Sequence, residues 1–227
     1  AFQIEEYWTI DAEFEKHTLS FPAKLISQNG IKVEKMDIKT KEQAETIVKH
    51  MTGFQACVSF VEKKLTKKAP PTPYTTSTLQ IDANTKLGFS AKQTMHLAQE
   101  LYETGRITYM RTDSLNLAEK FLEETQQYIR STFGEQYVEG PKHYKTKKKG
   151  AQEAHEAIRP SNVTLAPMDI KNELEPRTWR LYNLIWNRTL ASQLPAAQVN
   201  RTTVDLSVDT SLFRASGSSI AFDGFMK

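Results

Sequence analysis

The chain has 227 residues, 39% hydrophobic and 25% charged, which is ordinary for a globular protein and long enough for one large domain or two smaller ones. Its net charge of +3 permits a nucleic-acid partner without requiring one. The single cysteine excludes an internal disulfide framework, and no apolar run approaches the roughly 20 residues of a membrane-spanning helix. We therefore expect a cytoplasmic protein. Because the sequence begins without methionine, we also expect a piece of a larger protein.

The first part of the chain predicts strands with one covering helix. Apolar and polar side chains alternate in YWTIDAEF and in HTLSFPAKLI, and QNG at 28–30 predicts a turn. A helix is predicted over TKEQAETIVKHMTG, where Thr40 and Gln43 make a capping-box pattern. FQACVSFVEKK then returns to strand alternation, with Cys57 expected in the core.

The middle of the chain predicts helices. Three prolines in APPTPYTT, residues 69–76, favour an extended connector and a domain boundary. Periodic apolar residues with capping signals predict helices from Ser90 to Gly105, from Asn116 to Gly134, and from about Arg177 to Gln193. The helix, tight turn and short strand predicted at 90–111 resemble a winged-helix arrangement.

The last segment returns to strands, TVDLSV, LFRAS and IAF, with turns expected at DTS and GSS. Strand-rich ends around a helical middle predict an α+β fold. A helical domain at 69–194 is inserted into a discontinuous β-rich domain at 1–68 and 195–227. The chain then enters and leaves the inserted domain through one hinge, near the lysines and prolines of 63–73.

The stretch GRITYMRTDS, residues 105–114, is the first candidate for chemistry. Extended alternation would turn Tyr109 and Arg111 to the same side. A phenol has a pKa near 10, so it needs a nearby cation to attack phosphorus at neutral pH, and a guanidinium can also grip two phosphate oxygens. The hydroxyls of Thr108, Thr112 and Ser114 would add donors for a DNA backbone. A tyrosine that simply packs in a strand is the commoner cause of such a pattern.

The second candidate is GAQEAHEAIRP, in which His155 and Arg159 are four residues apart. On a helix they would share one face and present two donors to phosphates, whereas the alternative is an exposed helix with an incidental histidine. The lysine run before this motif makes Lys145 and Lys147 candidate DNA contacts, although most charge runs are solvated surface.

Five segments in this order, PPTPYTTSTLQ, LGFSAKQTM, LYETGRITYMRTDS, QEAHEAIRPS and LYNLIW, resemble the central part of a bacterial type IA DNA topoisomerase of the topoisomerase I kind. The resemblance covers nearly the whole chain, and YMRTDS with AHEAIRP are its most specific motifs. It implies that Tyr109 is the nucleophile that cuts one DNA strand and holds its 5′ end. It also implies that Arg111 stabilises the transition state and that His155 supports DNA binding at the active site.

The resemblance further implies ATP-independent strand passage that relaxes negative supercoils, because one phosphodiester is exchanged for another of similar energy. The partners are then single-stranded DNA segments and negatively supercoiled duplex, with no membrane, and we expect a monomer associated with the bacterial nucleoid. One cysteine excludes a zinc site, and no Asp-x-Asp pair offers magnesium a carboxylate cluster. The family's Mg²⁺ ligands lie in a TOPRIM domain that this sequence lacks. We therefore expect no metal here and no relaxation activity from the chain alone.

The sequence also fits alternatives from other classes of protein. The chain could be a non-catalytic, winged-helix-like DNA-binding module, or a piece of topoisomerase III or reverse gyrase, whose distinguishing features lie largely outside it. A tyrosine recombinase needs several dispersed arginines and histidines, a pattern that AHEAIRP beside YMRTDS does not match. Asp113 could orient Arg111, help to position DNA, or cap the turn that follows.

Overall fold

The structure, a computed structural model, describes residues 5–145 and 155–227. It is a mixed α/β fold that contains an antiparallel sheet. The chain forms two compact units, the first from Ala1–Thr66 and Val199–Ala221 and the second from Lys67–Gln198 and Phe222–Lys227. Among the described residues, no helix is both long enough and apolar enough to cross a membrane.

A six-stranded sheet forms most of the first unit. Its strands are β1 (Asp11–Lys16), β2 (Leu19–Gln28), β3 (Ile31–Lys32), β4 (Cys57–Lys68), β5 (Ala197–Val208) and β6 (Ser211–Phe222). They follow the order β1-β2-β6-β5-β4, and β3 pairs with the end of β2. Helix α1 (Lys41–Met51) contributes Ala44 to the small core that the sheet residues Leu25 and Phe213 help to form.

Several predictions for this unit are confirmed. Thr40 and Gln43 form the capping box at the start of α1, so two backbone donors are satisfied where the helix begins. Asn29 and Gly30 have φ angles of 51° and 76°, the left-handed backbone of a tight turn.

Two other predictions are wrong. Cys57 is exposed because β4 lies at the edge of the sheet, where most of its side chains face solvent. No turn forms at GSS, since β6 continues unbroken from Ser211 to Phe222. Gly217 does not adopt a positive φ, and the hydrogen bonds of the sheet outweigh the local turn preference of glycine and serine.

Four helices build the second unit: α2 (Thr76–Leu87), α3 (Ala91–Glu103), α4 (Glu119–Phe133) and α5 (Pro176–Gln193). Short 3₁₀ turns follow at Glu135–Tyr137 and Gly224–Met226. Helix α5 packs against the other three, and its fully buried residues Leu181 and Ile185 lie in one continuous apolar core. This core is the rigid support from which the loops of the unit extend.

The predicted helices α3, α4 and α5 are confirmed, with Ser90 capping α3 and Gly134 ending α4 at a φ of 100°. Helix α2 was not predicted, although Thr75 and Thr78 form a capping box at its start. Asn116 does not cap α4. Residues 115–118 stay irregular, and the cap position is Ala118, which provides no side-chain bond.

Candidate active site

Residues 105–114 form an irregular segment rather than the predicted short strand. Ile107 makes an isolated bridge with Pro160, and no ladder follows it. The in-and-out alternation expected from the sequence is nevertheless present. The buried set is Met110, Thr112 and Ser114, and the exposed set is Tyr109, Arg111 and Asp113. The segment therefore displays a phenol, a guanidinium and a carboxylate towards solvent.

The displayed groups Tyr109 and Arg111 are both available for a ligand. Tyr109 is 43% exposed, and its hydroxyl makes no hydrogen bond to any described residue. Arg111 is exposed and forms no ion pair with the described part of the chain. An uncompensated guanidinium two residues from a free phenol is an arrangement suited to an anionic ligand such as a phosphate.

The ring of Tyr109 packs edge-on against Tyr102, which lies in the last turn of α3. The two ring centroids are 5.2 Å apart, and the planes meet at 66°. Tyr102 is itself 40% exposed, so this contact lies at the protein surface. Such edge-to-face pairs restrict ring movement while leaving the hydroxyl free.

Thr108 fixes the segment just before Tyr109 by joining it to the second motif, AHEAIRP. The backbone N–H of Thr108 donates to the Arg159 carbonyl at 3.0 Å, and its hydroxyl donates to the Ala157 carbonyl at 2.7 Å. The N–H of Arg159 donates back to the Thr108 hydroxyl at 3.0 Å. These bonds bring GRITYMRTDS and AHEAIRP together, and they use the Thr108 hydroxyl inside the protein.

The other side is fixed by Thr76, the first residue of α2. Its N–H donates to the carbonyl of Thr112, and the N–H of Thr112 donates to the Thr76 hydroxyl, both at 2.9 Å. Thr112 and Ser114 turn their own hydroxyls inwards, where these accept from the N–H groups of Ser114 and Asn116. The expectation that Thr112 and Ser114 face DNA is therefore wrong.

The described part of the second motif has an extended backbone. The helical interpretation, in which His155 and Arg159 share one helix face, is therefore wrong. Ile158 bridges Tyr74 and Pro160 bridges Ile107, because the backbone of this stretch pairs with other segments instead of with itself. His155 is exposed at the start of the described stretch.

The side chain of Arg159 makes most of its contacts within the protein. Its guanidinium lies 4.1 Å from the centre of the Phe121 ring, and its Nε donates to the Glu156 carboxylate at 2.6 Å. A further bond, from Nη1 to the carbonyl of Pro160, is 3.0 Å long. Glu156 is thus the partner of Arg159 in an ion pair.

A cleft of about 430 Å³ borders His155. Its lining includes the start of α4 at Glu119, together with His143 and Tyr144. His143 Nδ1 lies 3.6 Å from the Glu119 carboxylate. The Tyr144 hydroxyl donates to the Ser192 carbonyl, and burial raises its pKa, so Tyr144 is a structural group. Lys145 is exposed, and the candidate contact Lys147 lies outside the described residues.

Two other tyrosines of this unit are held in the core. Burial, together with the hydrogen bond to Asp82, raises the pKa of Tyr74, and burial raises the pKa of Tyr182 to about 12. Their hydroxyls donate to Asp82 and to the carbonyl of Leu165, respectively. Both side chains are fully buried and their hydroxyls are bonded inside the protein, which separates them from the exposed Tyr109.

Residues 5–145 and 155–227 contain no group of three histidine, cysteine, aspartate or glutamate side chains that could hold a metal ion. These described residues therefore do not fit a magnesium site of their own.

Comparison with known proteins places this chain in a family. The family model described as DNA topoisomerase matches residues 1–227. The DNA topoisomerase 1 of Rickettsia bellii (strain RML369-C) is 41% identical over 238 residues, which cover 100% of this chain and 30% of that protein. The Campylobacter jejuni DNA topoisomerase 1 is 42% identical, with coverage of 100% and 33%.

A solved structure agrees with these relatives. The full-length topoisomerase I from Thermotoga maritima matches with a TM-score of 0.75 and 32% identity over 95% of this chain and 36% of that one. The chain therefore belongs to the DNA topoisomerase family. Its relatives carry the name topoisomerase 1, which confirms the resemblance found in the sequence, and the chain spans about a third of their length.

Proposed function

We propose that this chain is the strand-cleaving part of a bacterial type IA DNA topoisomerase, with Tyr109 as the nucleophile and Arg111 as its phosphate-contacting partner. One observation carries the proposal. A tyrosine with a free hydroxyl and an arginine with no ion pair to the described residues lie exposed on a segment whose backbone is fixed on both sides. Membership of the topoisomerase family supports it.

The proposed reaction exchanges one ester for another. The Tyr109 oxygen attacks a DNA phosphorus, the new O–P bond forms, and the bond from phosphorus to the 3′ oxygen breaks. The phenol gives up its proton, and the 3′ oxygen leaves as a hydroxyl. Arg111 balances the charge that collects on the phosphate oxygens during the transfer. The 3′ hydroxyl reverses the reaction without ATP after a strand has passed, which relaxes negative supercoils.

The remaining candidates have supporting roles in this proposal. His155 and Lys145, both exposed, would bind DNA phosphates, and Lys147 is proposed for the same role. Asp113 is exposed on the same side as Arg111 and would help to position the strand. Thr108 and Arg159 would contribute to DNA binding mainly by shaping the binding surface, because the Thr108 hydroxyl and the Arg159 side chain have internal partners.

The proposed domains are a helical, winged-helix-like domain at 69–194 that carries Tyr109, and a discontinuous β-rich arch domain at 1–68 and 195–227. Because the relatives are about three times longer, the complete activity belongs to a longer protein. In that protein Mg²⁺ would be held by acidic residues outside this chain. We therefore propose that the chain alone does not relax DNA, and that the complete protein acts as a monomer in the bacterial cytoplasm, at the nucleoid.

The test is Tyr109→Phe in the complete protein, with Tyr7→Phe as the control at another exposed tyrosine. The Tyr109→Phe change removes one oxygen and keeps the ring against Tyr102. We expect normal folding and DNA binding, no covalent protein–DNA adduct and no relaxation of supercoiled plasmid. An adduct of undiminished yield in Tyr109→Phe would rule out the proposed nucleophile.

A further inference from the structure

The hydroxyl of Thr76 contacts the backbone on both sides of Arg111. It lies 2.7 Å from the Met110 carbonyl oxygen, to which it donates, and it accepts from the Thr112 N–H at 2.9 Å. A hydroxyl has one proton and two lone pairs, so one side-chain oxygen can satisfy a carbonyl and an amide at once. The Thr112 carbonyl, 3.1 Å away, is a longer second acceptor and also receives the Thr76 N–H.

We propose that Thr76 is a positioning residue for Arg111 and, through it, for the transferred phosphate. Residues 110 and 112 are held with their side chains buried, so the side chain between them is directed outwards. If either bond is lost, no strand among the described residues pairs with residues 110–112 to restrain their backbone. The proposal rests on the function proposed for Tyr109 and Arg111.

Thr76 is itself fixed by the helix that it begins. Thr75 and Thr78 form the capping box of α2, and the buried residues Leu79 and Ala83 anchor that helix in the core of the unit. The hydroxyl is therefore attached to a rigid element and not to another loop. Supporting groups of this kind matter in catalysis because a displacement of about 1 Å can lower a rate about a hundredfold.

Two substitutions separate the hydroxyl from the shape of the side chain. Thr76→Val keeps the branched shape and removes the hydroxyl, whereas Thr76→Ser keeps the hydroxyl. Thr85→Val is the matched control, since Thr85 lies on the same helix and its exposed hydroxyl donates only within the helix, to the Ile81 carbonyl.

The kinetic measurement is the single-turnover rate at which the complete protein forms the adduct with an oligonucleotide. The protein is in saturating excess, and the temperature is below the melting temperature of every variant. We expect Thr76→Val to lower this rate about 10- to 100-fold while the Kd for the oligonucleotide changes less than twofold. Thr76→Ser and Thr85→Val should stay within about threefold of the parent rate. An unchanged rate in Thr76→Val would overturn the proposal, as would an equal loss in Thr85→Val.

A second readout needs no activity. In the chain itself, hydrogen exchange of the Thr112 amide should accelerate at least tenfold in Thr76→Val and not in Thr85→Val, because the acceptor of that N–H is removed. Unchanged exchange would also refute the proposed bond. Tyr109→Phe is measured in parallel. If it still forms the adduct, the proposed nucleophile has failed, whereas a normal rate in Thr76→Val with an inactive Tyr109→Phe refutes only the role of Thr76.

Discussion

The ring of Tyr102 meets the ring of Tyr109 edge to face at a centroid distance of 5.2 Å. An aromatic contact of this type contributes about 0.5–1.5 kcal/mol beyond simple burial. It restrains the ring of the proposed nucleophile while the hydroxyl stays in solvent. The contact uses the ring of Tyr102 and not its hydroxyl.

Removing that ring should therefore slow the proposed cleavage. In the complete protein, we expect Tyr102→Leu to lower the single-turnover rate of adduct formation about 2- to 10-fold, the rate equivalent of the contact energy. Tyr102→Phe should stay within twofold of the parent rate. Tyr7→Leu, at an exposed tyrosine of the other unit, controls for loss of a surface ring. Equal rates for Tyr102→Leu and Tyr102→Phe would exclude a role for the ring contact.

The ion pair of Asp205 and Arg214 in the sheet should make stability depend on pH. Arg214 Nε and Nη2 donate to the two carboxylate oxygens at 2.7 and 2.8 Å, and the hydrogen bond from Arg214 holds the pKa of Asp205 below its ordinary value. A carboxyl with a lowered folded-state pKa adds stability that is fully present above its unfolded pKa, near 4. That stability is lost as the pH falls through the lower, folded value.

We expect Asp205→Asn to lower the free energy of unfolding by about 1–3 kcal/mol at pH 7. The difference from the parent chain should shrink as the pH falls below about 4. Denaturant titrations at several pH values measure this, and Glu15→Gln serves as a control because Glu15 is exposed and has no ion pair with the described residues. A difference that stays constant down to pH 2 would contradict the assignment.

Gln126 on α4 offers a stabilising substitution. The residue is only 6% exposed, and neither its amide oxygen nor its amide nitrogen has a hydrogen-bond partner among the described residues. A buried polar group without a partner costs about 1–3 kcal/mol, so Gln126→Leu should raise the free energy of unfolding by about 1–2 kcal/mol. The neighbouring Gln127 is exposed, and Gln127→Leu should change stability by less than about 0.5 kcal/mol. A loss of stability in Gln126→Leu would mean that the amide is satisfied.

Gly224 is a position where no other residue should fit. Its φ is +52°, and a Cβ atom there would lie 2.6 Å from the Pro195 carbonyl oxygen. We expect Gly224→Ala to lower the free energy of unfolding by about 1–3 kcal/mol, measured by chemical denaturation. Gly217→Ala is the control, because a Cβ at Gly217 meets no atom within 4 Å. Similar stability of the two variants would show that the backbone at Gly224 can move aside.

Much of the secondary structure could be predicted because it follows local patterns. Helices α3, α4 and α5 have clear apolar faces, and the turn at Asn29 and Gly30 has its usual residues. Helix α2 was missed because it follows a proline-rich stretch and buries only Leu79 and Ala83. Its capping-box threonines were the signal that could have revealed it.

The errors concern interactions between distant parts of the chain. The exposure of Cys57 depends on which strand is at the edge of the sheet, and the extended backbone around Ile158 depends on pairing with Tyr74. The placement of Tyr109 and Arg111 on one side follows from alternation and could be predicted, whereas their exposure could not. The threonine bonds that fix their segment join residues 34 to 51 positions apart. No local pattern contains that information.

The segment that carries Tyr109 is fixed by hydrogen bonds to its main chain and by residues that point inwards. The outward-facing positions can therefore accept non-natural side chains without disturbing the hydrogen-bonded backbone of the segment. Fluorinated tyrosines, which differ from tyrosine chiefly in how readily they release a proton, would fit at position 109. The dependence of the cleavage rate on the acidity of the phenol across such a series would measure how much negative charge the attacking oxygen carries when the strand breaks.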